Sequence, residues 1–179
     1  MRLSPSAGHR WRPLAAAGLA LALNPLLAAK AVEQTQLELV LDRDQKLLKV
    51  MLACKEVERF PAAVGMPGWE TPAGNFEVLE MQKDPTWEHP ETGATIAPGP
   101  TNPLGSRWIG FFRDCSGRQG WDGETHLSIE GCVVAGFHGT PHRWTVGRAI
   151  SHGCVRLYDE DVQKVFDLVE LGTPVRVLP

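Results

Sequence analysis

Three observations predict a mainly β domain with one C-terminal amphipathic helix. Leu37, Leu39 and Leu41 recur every second residue, the polar Asp42-Arg43-Asp44-Gln45 breaks the run, and Leu48, Val50 and Leu52 resume it. A period of two on each side of a polar turn is the pattern of a β-hairpin. Glycine and proline, 18 and 14 of 179 residues, divide most of the remaining apolar runs into strand-length pieces. One segment alone has a clear helical period: Val162, Val165, Phe166 and Val169 share a face. Asp159 is placed to cap that helix and Gly172 to end it.

The other elements follow in order. Lys55 to Val64 reads as a strand that stops at Gly65, and the Gly- and Pro-rich stretch to Gly74 reads as a loop. Phe76, Val78 and Leu79 begin a further strand. Residues 84–106 are too rich in proline and glycine for regular structure. Trp108 to Phe112 and Cys132 to Phe137 are short apolar strands. Pro174 leads into a last strand through Val175 and Val177.

Residues 1–31 read as a signal peptide and 32–179 as one catalytic-size domain. Arg2, Arg10 and Arg12 form a basic start, Leu14 to Ala29 an apolar run, and Ala29-Lys30-Ala31 has small residues where a signal peptidase cuts. The apolar run is about sixteen residues, short of the roughly twenty that span a bilayer. The expectation is therefore an exported protein of the periplasm or cell wall, with no membrane span after cleavage. Residues 1–31 hold four basic and no acidic residues, so their loss takes the formal net charge from −3 to −7. So acidic a chain is a poor partner for nucleic acid.

Export also bears on the four cysteines, because thiols pair in oxidising compartments. Cys115 and Cys132 flank a polar, glycine-containing segment and are candidates for a disulfide. Cys54 sits in an apolar alternating run and reads as a small buried side chain. The alternative, with all three reduced and packed, stays open on the sequence.

Chemistry concentrates in the stretch from His138 to Arg156, HGTPHRWTVGRAISHGCVR. Cys154 follows Ser151-His152-Gly153 and is the candidate nucleophile; His138, sixteen residues earlier, is its candidate base. Gly153 and the backbone N–H groups of residues 152–154 are candidate oxyanion donors. His152 orients the thiol or holds substrate, Ser151 orients a histidine or closes the turn, and Gly139 belongs to the same substrate-binding group. Arg156 is a candidate for binding a substrate carboxylate bidentately. His89, His126 and His142 have no such context and read as loop residues. A zinc site through His138, His142 and Cys154 is disfavoured, because Pro141 spoils a helical histidine pair and no glutamate adjoins either histidine. No metal and no cofactor are expected. A papain-like peptidase is excluded by order, since there the cysteine precedes its histidine.

With these residues in place, the chain resembles the L,D-transpeptidase catalytic domain of the YkuD family. His138-Gly139-Thr140 and Ser151-His152-Gly153-Cys154-Val155-Arg156-Leu157 match its signature, with Thr145-Val146-Gly147-Arg148 between them. Thr71-Pro72-Ala73-Gly74-Asn75-Phe76, Gly99-Pro100-Thr101-Asn102-Pro103-Leu104-Gly105 and the closing Gly172-Thr173-Pro174-Val175 are also similar to family segments. The resemblance implies a β-sandwich-like catalytic fold and peptidoglycan stem peptides as substrates. It implies that Cys154 attacks the amide between a diamino acid and D-alanine, forms a thioester and passes the acyl group to an amine. It also implies sensitivity to carbapenems. An L,D-carboxypeptidase using the same site is a near alternative, and a non-catalytic wall-binding module a more distant one. Asp159 stands where the family often has asparagine. The segment from Arg113 to Gly131 lies outside the signature and reads either as a lid that sets acceptor choice or as a loop tied down by Cys115 and Cys132. No wall-binding module is recognised, so substrate recognition is expected from the catalytic domain itself.

Overall fold

The computed structural model describes residues 37–89, 92–121, 123, 124 and 126–179, and the signal peptide expected from the sequence lies outside them. The predicted hairpin is β1 (Leu37–Asp42) and β2 (Leu47–Leu52), antiparallel with Leu39 opposite Val50 and Leu41 opposite Leu48. The run from Lys55 divides into β3 (Lys55–Pro61) and β4 (Val64–Gly65). It breaks at Ala62 and Ala63, whose N–H groups bond outside the strand, to the carbonyls of Lys46 and Arg156.

The strand expected from Phe76 also divides, into β5 (Gly74–Glu77) and β6 (Glu80–Lys83). Val78 and Leu79 form the corner between two sheets: β5 pairs with the last strand, β6 with a strand of the other sheet. Among its described residues, the Pro- and Gly-rich region holds only the two-residue strands β7 (Trp87–Glu88) and β8 (Thr95–Ile96). Its shape depends on Asn102, which is fully buried. The Asn102 amide donates to the carbonyls of Pro85, Ile96 and Ala97, and its oxygen accepts the Leu104 N–H at 2.8 Å. A buried amide satisfied on both sides stands in for a sheet ladder here.

Then come β9 (Arg107–Asp114), β10 (Arg118–Trp121), β11 (His126–Ile129) and β12 (Val133–His138). These are followed by β13 (Ala149–Ser151), β14 (Val155–Arg156), α1 (Asp159–Leu168) and β15 (Pro174–Leu178). One sheet has the order β3-β2-β1-β15-β5 and the other β14-β12-β9-β6. Leu39, Leu41, Leu48, Val50, Val175 and Val177 of the first belong to one core cluster with Ile109, Phe111, Ala135 and Phe137 of the second. Val162, Val165 and Val169 bring α1 into the same cluster. Each such side chain taken from water contributes on the order of 1.5–3 kcal/mol.

The expectations for Cys54, Asp159 and Gly172 need correction. Cys54 is exposed, not buried: it shares with Ala53 the turn between β2 and β3, where φ is +51° and +62°, so the alternation ends at Leu52. Asp159 is the first residue of α1, after Tyr158 at the N-cap, and makes no cap hydrogen bond. Its carboxylate instead accepts the Ser106 N–H at 2.7 Å and a Gln163 N–H at 2.9 Å, tying the loop before β9 to the helix. The helix ends at Leu168, and Gly172, at φ +84°, serves the turn into β15. No described helix is long and apolar enough to cross a membrane.

Candidate active site

The site lies on the face of the second sheet that turns away from the core. Along β12, Ala135 and Phe137 enter the core, so the alternating positions Gly136 and His138 face the other way. β14 runs parallel to β12 with Val155 beside Phe137 and Arg156 beside His138. Val155 is fully buried in the core, which puts Arg156 on the His138 side. Cys154, just before β14, meets β12 at Gly136 and Val134. The Gly136 N–H bonds to its sulfur, and Sγ lies 3.8 Å from the Val134 carbonyl.

Gly136 is required at this point: a Cβ there would collide with the Trp108 indole and the Ile109 carbonyl. Trp108, opposite His138 on β9, lies with its ring centroid 6.1 Å from the imidazole. His138 is 4% exposed. Its Nδ1 lies 2.5 Å from the Gly139 carbonyl oxygen. A carbonyl only accepts, so Nδ1 carries the proton and Nε2 keeps its lone pair. Burial lowers the His138 pKa from 6.5 to about 4, with the Arg156 charge adding to the effect and the Gly139 bond opposing it. The imidazole is therefore neutral at neutral pH.

Burial pushes the Cys154 thiol up, against the pull of the Gly136 N–H and of Arg156. At neutral pH the thiol and the imidazole are therefore both uncharged. Burial also lowers the Arg156 pKa, while Cys154 raises it. Among the described residues no carboxylate forms an ion pair with Arg156.

The turn is built by Ser151, 1% exposed, whose hydroxyl donates to the Cys154 carbonyl at 2.5 Å and accepts the Gly153 N–H at 3.2 Å. Gly153 has φ +115°, which glycine adopts without strain. Its N–H is committed inside the turn. Ser151 is itself fixed by the Met66 N–H on its carbonyl and by the pairing of β13 with β4. His152 is exposed and sets its ring edge-on against Trp69, centroids 5.3 Å apart. Gly139 packs against the Asp159 carboxylate and Gly105, and a side chain at either glycine would displace that carboxylate. Thr71 donates no chemistry here but receives the Gly65 N–H on its buried hydroxyl at 3.0 Å, shaping the loop before Gly74.

The structure therefore brings together His138, Ser151, Gly153, Cys154 and Arg156, with His152 at the rim and Gly139 beneath the helix start. Cys115 and Cys132 form a disulfide at the base of the β10–β11 hairpin. His89, after β7, and His142, before a 3-10 turn at Arg143–Thr145, are loop residues as expected, but His126 is not: it is the first residue of strand β11, paired with Trp121. Sequence reasoning missed Trp69, Trp108, Gly136 and Arg118. A glycine inside an otherwise apolar strand at 136 was the available signal for close backbone approach.

Comparison with known proteins places the whole described domain in one family. The family model described as the L,D-transpeptidase catalytic domain, YkuD, matches residues 37–177. YqjB of Bacillus subtilis, whose name assigns it provisionally to the L,D-transpeptidases, is 32% identical over 132 residues, 73% of this chain and 64% of its own length. The probable L,D-transpeptidase ErfK/SrfK of Escherichia coli is 29% identical over 68% of this chain and 37% of its own. The chain thus spans about two thirds or less of these relatives. L,D-transpeptidase 3 from Mycobacterium tuberculosis, solved with a faropenem-derived adduct, shares the fold at TM-score 0.56 and 18% identity, over 80% of this chain and 60% of that one. The chain belongs to the YkuD family of L,D-transpeptidase catalytic domains.

Proposed function

We propose that this chain is an exported peptidoglycan L,D-transpeptidase whose residues 1–31 are a cleaved signal peptide and whose residues 32–179 are the catalytic domain. Membership of a cell-wall enzyme family and the Cys115–Cys132 disulfide support a place outside the cytoplasm. The observation that carries the mechanism is the His138 Nδ1–H bond to the Gly139 carbonyl, which presents a neutral Nε2 on the sheet face shared with Cys154.

His138 Nε2 takes the thiol proton as Cys154 Sγ attacks the carbonyl carbon of the amide between the stem's diamino acid and its terminal D-alanine. Because the Gly153 N–H is held by Ser151, we assign the main oxyanion donor to the Cys154 N–H at the same turn. The tetrahedral intermediate collapses as protonated His138 gives its proton to the leaving amine. D-alanine departs and a thioester remains on Cys154. An acceptor amine from a second stem then loses a proton to His138, attacks the thioester carbonyl and releases the sulfur, which is reprotonated. Arg156, half-buried and without a carboxylate partner among the described residues, is suited to hold a substrate carboxylate beside the reacting amide.

Tetrapeptide-stem muropeptides incubated with the protein and followed by mass spectrometry test this reading. D-alanine release together with crosslinked dimers is expected. Release without dimers assigns the protein as an L,D-carboxypeptidase, with water resolving the same thioester. A β-lactam of the penem or carbapenem type is expected to add its mass at Cys154.

A further inference from the structure

The β10–β11 hairpin continues β9 and β12 beyond the core and makes three contacts that the fold alone does not require. The Trp69 indole N–H donates to the Trp121 carbonyl at 3.1 Å. Gly120 lies so close to the Trp69 ring that any Cβ there would strike it. The Arg118 guanidinium stacks 4.9 Å over the same ring and donates from Nη2 to the Gly68 carbonyl at 2.9 Å and from Nη1 to the Glu70 carbonyl at 3.5 Å, with the Glu70 carboxylate 3.9 Å away. Trp69 is thereby fully buried in a loop that is otherwise mostly exposed.

Both Trp69 and Arg118 also reach the Cys154 turn. Trp69 carries the edge contact to His152. Arg118 Nη1 is 3.7 Å from where a Cβ on Gly153 would stand. Contacts therefore run from Arg118, three residues after Cys115 on the disulfide-closed hairpin, through Trp69 to His152 and directly to Gly153.

Resting on the assignment of Cys154 as acyl carrier, we propose that Arg118 is a positioning residue for acyl transfer, presented by the disulfide-closed hairpin and acting through Trp69 on the turn that holds the thiol. Only a planar fork that stacks and donates to two carbonyls at once fits these contacts; a lysine ammonium does not. Misplacing a reacting group by an ångström lowers the chemical step far more than it lowers binding.

The test compares kcat and KM for D-alanine release in Arg118→Ala, Arg118→Lys, the double variant Cys115→Ser/Cys132→Ser, and Arg118→Ala combined with that double variant. All are assayed below their melting temperatures. Arg118→Ala is expected to lower kcat about tenfold with KM within about twofold, and lysine to recover at most about twofold of that loss. The combined variant is expected to be no slower than the slower of its parents, because both lesions break one path. Wild-type kcat in Arg118→Ala, or losses that multiply in the combined variant, overturn the proposal. Should Arg118→Ala not fold, full activity in Arg118→Lys overturns it equally. Full activity in Cys154→Ala would instead remove the reading on which the proposal rests.

Discussion

The two faces of β12 and β14 serve different ends. Facing inward, Ala135, Phe137 and Val155 join a core that extends through both sheets and α1. Facing outward, Gly136 and Arg156 act on Cys154, and His138 lies beside Arg156 and against Trp108. Adjacent residues on one strand thus divide between the core and the candidate site, and the period of two keeps each set on its side. The backbone of the candidate site thus belongs to the core sheet.

Substitutions on the two faces should separate cleanly. Cys154→Ala is expected to reduce D-alanine release by about 10⁴-fold or more, with the melting temperature unchanged within a few degrees. His138→Gln keeps much of the ring's volume but supplies no base, so a loss of about 10³-fold in kcat is expected. On the inward face, Phe137→Ala should cost about 3–5 kcal/mol in a denaturant titration, while residual folded protein keeps its activity per molecule. Such a loss corresponds to a fall of roughly 10 °C in melting temperature.

The pH dependence tests the outward face in another way. His138 has its pKa lowered to about 4 by burial. Between that value and its ordinary 6.5, the unfolded chain binds a proton that the folded one does not. Stability is therefore complete above pH 6.5 and falls as the pH drops toward 4, by at most about 3 kcal/mol from this residue. Urea unfolding of wild type and His138→Gln across that window should show a steeper loss in the wild type. The smallest effect is expected at the exposed Cys54. Cys54→Ser should move stability by less than about 0.5 kcal/mol and leave turnover intact.

Much of the fold was legible because the core is one of alternating strands. Leu39, Leu41, Leu48 and Val50 announce their faces by period alone, and α1 does so through Val162, Val165 and Val169. Where strands leave one sheet for another the signal fails, because an apolar pair such as Val78-Leu79 reads the same in a strand and at a corner. Asp159 reads as a cap because local sequence does not disclose that the Ser106 N–H, 53 residues away, takes its carboxylate. Cys54 misleads for a related reason: an apolar run and the turn that ends it differ only in φ.

Cys154, His138 and their neighbours stand out as a motif, so the candidate site was readable as a set of residues. Its geometry was not. The tautomer of His138 depends on the Gly139 carbonyl, and the burial of Trp69 depends on a hairpin some fifty residues later in the chain, as the 52-residue separation of the Trp69–Trp121 bond shows. Contacts of that range leave no local pattern.

The proposed mechanism places the acyl group on Cys154. Acid quench of the protein with a tetrapeptide stem during turnover, followed by proteolysis and mass spectrometry, measures this directly. A stem tripeptide joined as a thioester to the peptide containing Cys154 is expected, cleaved by hydroxylamine and absent in Cys154→Ala. A stem adduct on any other residue, or unimpaired D-alanine release by Cys154→Ala, would contradict it.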